Sequence, residues 1–318
     1  MKHLEEAAGL LKQGELVAIP TETVYGLAAN AFNEEAVLKI YKTKNRPHFN
    51  PLIIHSNSVE RFEEWGIFLP EFALKLASHF SPGPITFVVP TSNKIPDMVT
   101  AGHNSVAIRI PNHPITLELL SMLDFPLAAP SANPSTFVSP TSASHVKQQL
   151  GNKIKCILDG GNCEVGIEST ILSFLENTPR ILRYGGLAKE QIEKILGIKV
   201  NVPQVNGDTS KIIAPGMIER HYAPNKKLIV SSDFEKEIMN HQRMTIGSIS
   251  FSTNYKNIDY KNQFILSESG NLDEAARHLF SALRSLNELN IDIILAENFP
   301  DEGLGIAIND RLKRASVQ

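Results

Sequence analysis

Residues 200–227, "VNVPQVNGDTSKIIAPGMIERHYAPNKK", carry Pro, Gly and Asn with no hydrophobic period. A stretch of that kind reads as a linker, so the chain on either side has to fold as separate packed units. At 318 residues there is enough chain for two cores. The reading is a first domain over 1–206, a linker over 207–226 and a smaller domain over 227–318.

The two sides differ in pattern. Before the linker, "GELVAIPT", "PLIIH", "SPGPITFVVPT", "SVAIRIP", "FPLAAPSAN", "CILDGG" and "STILSF" read as short strands of uneven length. "NEEAVLKIYKTK" has helical spacing with Asn33 as its N-cap, and "PEFALKLASHF" is a second helix. This is no simple alternating βαβ repeat and predicts an α+β-like domain, a twisted, largely antiparallel or mixed sheet flanked by helices. After the linker, "KLIVSS", "MTIGSIS" and "IDIILAE" alternate with helical runs such as "LDEAARHLFSALRSLNEL". That alternation predicts a small Rossmann-like α/β domain with a parallel sheet.

Charge and composition narrow the function. Hydrophobic residues make up 42% and charged residues 20%, ordinary for a globular protein. The net charge of −3 is spread evenly, with 18 Lys+Arg against 19 Asp+Glu in residues 1–206 and 13 against 15 beyond. Neither half has the basic excess of a protein whose main work is gripping nucleic-acid phosphates. Local positive clusters therefore point to a small anion. No apolar run approaches a membrane span, and the acidic, amphipathic start "MKHLEEAAGLLKQGE" is unlike a signal peptide, so a cytoplasmic location is expected. Cys156 and Cys163 match neither a zinc site nor a redox pair, and no acidic cluster marks a dedicated metal site.

Four segments carry polar groups where chemistry needs them. "PTETVYGL" is either a hydrogen-bonded turn or a pocket wall in which Thr21 and Thr23 offer hydroxyls and Gly26 lets a backbone approach. "KTKNRPHFNPLIIH" sets Lys44 and Arg46 at a helix end, before prolines that stiffen the loop. Such a run is either a solvated helix end or a rigid anion grip. "APSANPSTFVSPT" is either a surface loop or a strip of hydroxyls and amides over a nucleotide. Arg109 in "VAIRI" and Arg183 in "ILRYGGL" put guanidinium groups in apolar strands, which requires a buried acid or a ligand carboxylate or phosphate.

Taken together, "PTETVYGLAANA", "KNRPHFNPLIIH", "SPGPITFVV", "VAIRIPNHP", "APSAN", "DGG…GIESTI" and "ILRYGG" resemble the YrdC-like family of L-threonylcarbamoyladenylate synthases. "APGMIERHYAP" and the α/β region after it resemble the long, two-domain branch. The resemblance implies a nucleotidyltransferase that joins L-threonine, bicarbonate or CO2, and ATP into threonylcarbamoyl-AMP and pyrophosphate. That product is the activated donor for modifying the adenosine next to the anticodon of tRNA by a downstream transferase.

By the same resemblance, Lys44 and Arg46 are catalytic. ATP is held by Lys44, Arg46, Asn50, Ser105, Ser131, Asn133, Ser139, Arg183 and Tyr222, and L-threonine by Thr23, His55, Arg109, the backbone at Ala129, and Ser169. Mg2+ is expected with the ATP. The absence of a G-x-x-x-x-G-K-[ST] loop fits, since cationic side chains then hold the phosphates. Tyr222 of "RHYAP", beside Arg220 and His221, would make the linker a lid over the nucleotide. The family has Gly at the positions of Asn45 and Thr136 and a small residue such as Ser at that of Ala214, so loop geometry is where this chain departs. Alternatives are a carbamoyl-transfer enzyme of hydrogenase maturation, which the cysteine count disfavours, an RNA-binding module using the same basic concavity, and a nucleotide sensor whose lid is its output.

Overall fold

A computed structural model describes residues 2–202, 213–215 and 222–317. The first unit opens with α1 (Lys2–Lys12), β1 (Val17–Ile19), β2 (Gly26–Asn30), α2 (Glu34–Lys44), β3 (Ile53–His55), α3 (Val59–Glu64) and α4 (Glu71–Phe80). It continues through β4 (Ile85–Pro90), α5 (Asp97–Thr100), β5 (Ser105–Arg109), α6 (Pro114–Ser121), β6 (Leu127–Ala128) and α7 (Ala143–Leu150). It ends with β7 (Cys156–Ile157), β8 (Thr170–Ser173), β9 (Arg180–Arg183) and α8 (Lys189–Leu196). The second unit holds β10 (Lys227–Ser231), α9 (Phe234–Asn240), β11 (Ile246–Ser250), β12 (Gln263–Ile265), α10 (Leu272–Glu288), β13 (Ile293–Glu297) and α11 (Gly305–Ser316).

The first sheet has nine strands in the order β7-β1-β2-β6-β3-β5-β4-β8-β9, and the second has four in the order β10-β13-β11-β12. The first mixes parallel pairs such as β3/β5 and β4/β8 with antiparallel pairs such as β4/β5, whereas every pair in the second is parallel. Both match the expected architecture. More helices separate the strands of the first unit than the sequence pattern suggests, because α5, α6 and α7 are too short for a clear period.

Period-2 alternation sorts the first sheet into a core face and a polar face. Val106 and Ile108 of β5 enter the main core with Ile54, Phe87 and Leu172, while Ala107 faces the other way, beside Ile53, Val88 and Leu182. Ser105 and Arg109 share the side of Ala107. β3 runs parallel to β5 with His55 opposite Arg109, so that pair shares the polar face. Linker residues Ile213 and Ala214 pack onto this face, and Ala214 is fully buried there. The small side chain at that position is what a segment lying flat on a sheet requires.

The two units share a core boundary. Val24, Val138 and Ile167 of the first unit are buried in the same cluster as Leu279, Phe280 and Leu283 of α10. Arg277 Nε donates to the Glu164 carbonyl at 2.6 Å, and Arg284 donates to the carbonyls of Val138 and Ser139. Gly166 faces the Arg277 backbone so closely that a Cβ would lie 2.4 Å from its Cα, so only glycine fits.

Candidate active site

The site begins with how α2 ends. Asn33 caps its start, its side chain accepting from the Ala36 N–H at 3.1 Å, and Glu34 and Glu35 in the first turn oppose Lys42 and Lys44 in the last. Asn45 then adopts a left-handed conformation (φ 51°), turning the chain so that Lys44 and Arg46 both point inward while Lys42 stays exposed. Asparagine tolerates this geometry, so the departure from glycine there leaves the turn intact. Lys44 is 2% exposed and Arg46 8%, which rules out a solvated helix end.

Backbone carbonyls fix these cations. Lys44 Nζ donates to the Ser131 carbonyl at 2.5 Å and to the Asn133 carbonyl, and the Ser135 N–H donates back to the Lys44 carbonyl at 2.7 Å. Arg46 Nε and Nη2 donate to the Asn50 and Pro51 carbonyls at 3.1 and 2.8 Å. Arg183 Nη2 donates to the Ser169 carbonyl at 2.9 Å and its Nη1 to the Pro215 carbonyl at 3.3 Å, tying the linker to the site. Among the described residues none of the three cations has a carboxylate in salt-bridge contact. Burial, joined by repulsion from Arg46, drives the Lys44 ammonium well below its ordinary value, and burial pushes Arg46 and Arg183 down to about 10.

Arg109 differs. Its Nη2 lies 2.8 Å from Glu22 Oε1, both side chains almost fully buried, although the contact is not aligned as a hydrogen bond. Its Nε donates to the Gly83 carbonyl at 3.3 Å, and the Asn112 N–H donates to Glu22 Oε2 at 3.1 Å. The guanidinium in "VAIRI" therefore meets a buried acid, which sequence reasoning allowed without identifying. Beside it, burial followed by repulsion from Arg109 pushes the His55 imidazole down to about 3, so it is neutral.

The remaining predicted residues are placed as follows. Ser169 Oγ lies 2.7 Å from Thr86 Oγ1 and accepts from Arg183 Nη2 at 3.2 Å. The Ala129 N–H donates to the Ile53 carbonyl at 3.0 Å, joining "APSAN" to the sheet. Asn133 Nδ2 donates to the Phe137 carbonyl at 2.8 Å, Ser139 Oγ donates to Glu168 Oε1 at 2.6 Å, and Ser131 is half-buried. Asn50 and Ser105 are buried. Thr136 takes the left-handed conformation (φ 73°) at the glycine position of the family, strained for a β-branched residue. It is held there in part by the Ala223 N–H, which donates to the Thr136 carbonyl at 3.1 Å.

Thr21, Thr23, Gly26 and Tyr222 complete the set. The Thr21 and Thr23 hydroxyls lie 2.8 Å apart, and Thr21 Oγ1 also donates to the Val24 carbonyl at 2.6 Å, closing a local turn that holds both side chains in place. Gly26 serves sheet packing, since a Cβ there would lie 3.3 Å from Ala129 Cβ. Tyr222 is buried against the second unit, its ring stacked on Phe280 at 5.2 Å and the Arg311 guanidinium 5.3 Å from the ring centre. Arg220 and His221 lie outside the described residues.

Buried side-chain atoms without a hydrogen-bond partner gather at this place. Of nine among the described residues, Asn50 Oδ1, His55 Nδ1, Arg109 Nη2 and Asn133 Oδ1 belong to the predicted set. Such atoms are costly unless something binds them. Glu22, Thr86, Glu168 and Arg311 were not singled out from the sequence, although Glu22 sits inside "PTETVYGL" and Glu168 inside "GIESTI". No group of three or more His, Cys, Asp or Glu among the described residues forms a metal-holding cluster, and no described helix is long and apolar enough to cross a membrane.

Comparison with known proteins identifies the family. Residues 9–185 match a family model described as "Telomere recombination", and residues 187–317 match "Threonylcarbamoyl-AMP synthase, C-terminal domain". A threonylcarbamoyl-AMP synthase of Pyrococcus abyssi is 44% identical over 98% of this chain and 93% of its own length. One of Bacillus subtilis is 41% identical over 98% of this chain and 92% of its own. A crystal structure of the P. abyssi protein complexed with L-threonine superposes with a TM-score of 0.91 at 43% identity, covering 98% of this chain and 94% of that one. The chain belongs to the YrdC-like family of L-threonylcarbamoyladenylate synthases, in its two-domain form.

Proposed function

We propose that the polar face of the first sheet makes threonylcarbamoyl-AMP from L-threonine, bicarbonate or CO2, and ATP. The observation that carries the reading is the trio Lys44, Arg46 and Arg183, buried and fixed by backbone carbonyls with no salt-bridged carboxylate among the described residues. Buried positive charge with no carboxylate in contact is expensive, and a polyphosphate supplies the contact that is missing. Two of the three N–H groups of Lys44 serve the loop carbonyls, which aims the third.

In the reaction, the threonine amine forms a carbamate with CO2. A carbamate oxygen attacks the α-phosphorus, a new P–O bond forms, the bond to the β-phosphate bridging oxygen breaks, and pyrophosphate leaves. Positioning and charge stabilisation suffice, with no covalent nucleophile. Lys44, Arg46 and Arg183 stabilise the phosphates, while Asn50, Ser105, Ser131, Asn133 and Ser139 orient the nucleotide. Arg109, with Nη2 not fully committed to Glu22, receives the threonine carboxylate, and Thr23, His55, Ser169 and the Ala129 backbone shape the amino-acid pocket. Mg2+ arrives with the ATP. Catalysis belongs to 1–206, with 207–226 as a lid and 227–318 as its support. The product passes in the cytoplasm to a transferase acting on tRNA.

Pyrophosphate release with ATP and bicarbonate, run with and without L-threonine, tests this. Release that depends on threonine is expected, and release without it, or none, would sink the synthase reading. Valine should be rejected on the order of 10⁴-fold, because a site built around a substrate hydroxyl leaves its own groups unpaired when that hydroxyl is missing. If the basic concavity serves RNA instead, filter binding would show a steep salt slope without turnover.

A further inference from the structure

We propose that Arg311, on the last helix of the second unit, is a positioning residue for the nucleotide site of the first. This rests on the assignment of Ser139 and Arg183 to the nucleotide. Arg311 is fully buried, its Nε donating to Glu168 Oε2 at 2.9 Å, its Nη1 to Asp310 Oδ2 at 2.8 Å and its Nη2 to the Tyr184 carbonyl at 2.8 Å. The other oxygen of Glu168 accepts from Ser139 Oγ at 2.6 Å. One peptide on, Ser169 presents the carbonyl that receives two N–H groups of Arg183.

The backbone at 168–169 has little freedom to rearrange. The Gly186 N–H donates to the Glu168 carbonyl at 2.9 Å, and a Cβ on Gly185 would lie 2.3 Å from that same oxygen. One guanidinium from the second unit therefore orients a carboxylate that aims the Ser139 hydroxyl and sits beside the anchor of Arg183. Arg311 Nε and Ser139 Oγ hold the two oxygens of one carboxylate, so removing the guanidinium takes away a charged donor at 2.9 Å and lets the carboxylate turn, which shifts the acceptor of Ser139.

The competing account is a staple that holds two units together and does nothing for the nucleotide. The full chain is compared as wild type, Arg311→Met, Ser139→Ala and the double variant, with KM for ATP, KM for L-threonine, kcat and melting temperature measured on each. Arg311→Met should raise KM for ATP about tenfold, the size seen when a partner that orients a ligand-binding group is removed, with a smaller change for L-threonine. The double variant should be no worse for ATP than Arg311→Met alone, because both act through one contact. A lowered melting temperature with wild-type KM for ATP, or factors that simply multiply, would overturn the proposal. A silent Ser139→Ala would sink the nucleotide assignment of that serine, and the relay with it. Should Arg311→Met not fold, Arg311→Lys keeps the charge but loses the fork and carries the same KM test.

Discussion

The two sheets bury their strands in opposite styles. In the parallel sheet the central strand β13 is apolar on both faces: Ile293 and Leu295 turn to one cluster, Ile294 and Ala296 to the other. In the nine-stranded sheet one face is equally apolar, but the opposite face holds His55, Thr86, Ser105 and Arg109, all buried. Strands buried on both sides read as continuous hydrophobic runs, so a charge inside one marks a place where packing has been given up for chemistry. The parallel sheet buries two hydroxyls, Ser248 and Ser250, but no charge among its described residues, and serves as a platform.

The contrast is broken most directly through Glu22. Glu22→Gln should destabilise the chain by about 3–5 kcal/mol, because it leaves Arg109 charged and unpaired in the interior. Ile294→Val in the platform should cost only about 0.5–1.5 kcal/mol. Thermal melts decide between them, and saturating L-threonine should restore part of the loss in Glu22→Gln if its carboxylate reaches Arg109. Equal losses would mean that the polar face is ordinary core.

Next in size is the cationic trio. Lys44→Ala and Arg46→Ala should each lower kcat by on the order of 10²-fold, about 3 kcal/mol of transition-state stabilisation, in a pyrophosphate-release assay. Lys44→Ala should also lower stability, since the Ser131 and Asn133 carbonyls lose their donor. A soluble, fully active variant would return the cluster to a structural role.

A smaller effect comes from His55. Its folded-state value of about 3 lies below the ordinary 6.5. Between these values the unfolded chain binds a proton that the folded one does not, so stability falls as pH drops through that window and is unaffected above it. From pH 7 to pH 5 the loss should be about 2 kcal/mol, and His55→Gln should remove that share in paired denaturant titrations. An unchanged pH dependence would place the imidazole in a more solvated setting. Smallest is Thr136→Gly, which should gain about 1 kcal/mol by relieving a left-handed β-branched residue. A loss there would show that the Thr136 side chain makes compensating contacts.

What the sequence revealed followed what short-range pattern can carry. Asn33 as a cap, α4, α10 and most strands were readable because local period and capping chemistry decide them. β2 was not, since "GLAAN" is made of small residues directly after a turn and gains its strand character only from pairing with β1 and β6. Arg109 announced itself as a charge in a strand, yet its partner Glu22 lies far along the chain in a motif that reads equally well as a turn. Arg311 stands in "NDRLKRAS" beside two other cations, Lys313 and Arg314, so nothing in its immediate neighbours sets it apart. Its place three residues after Ile308 and four before Ala315, on the stripe that also holds Leu312, was the one local sign that it faces inward.

The shared cluster around Val24, Val138 and Ile167 also bears on how such chains recombine. A chimaera joined in the linker looks like a clean exchange of modules, but the seam in three dimensions runs through α10 and α11. A foreign second unit would have to bring an arginine to face Glu168, a backbone that tolerates the approach of Gly166, and side chains that fill the hollow around Val138. Heredity along this chain is therefore linked across the interface: the positions on the two sides can be swapped as matched sets, and single-sided exchange should give an insoluble or nucleotide-blind hybrid.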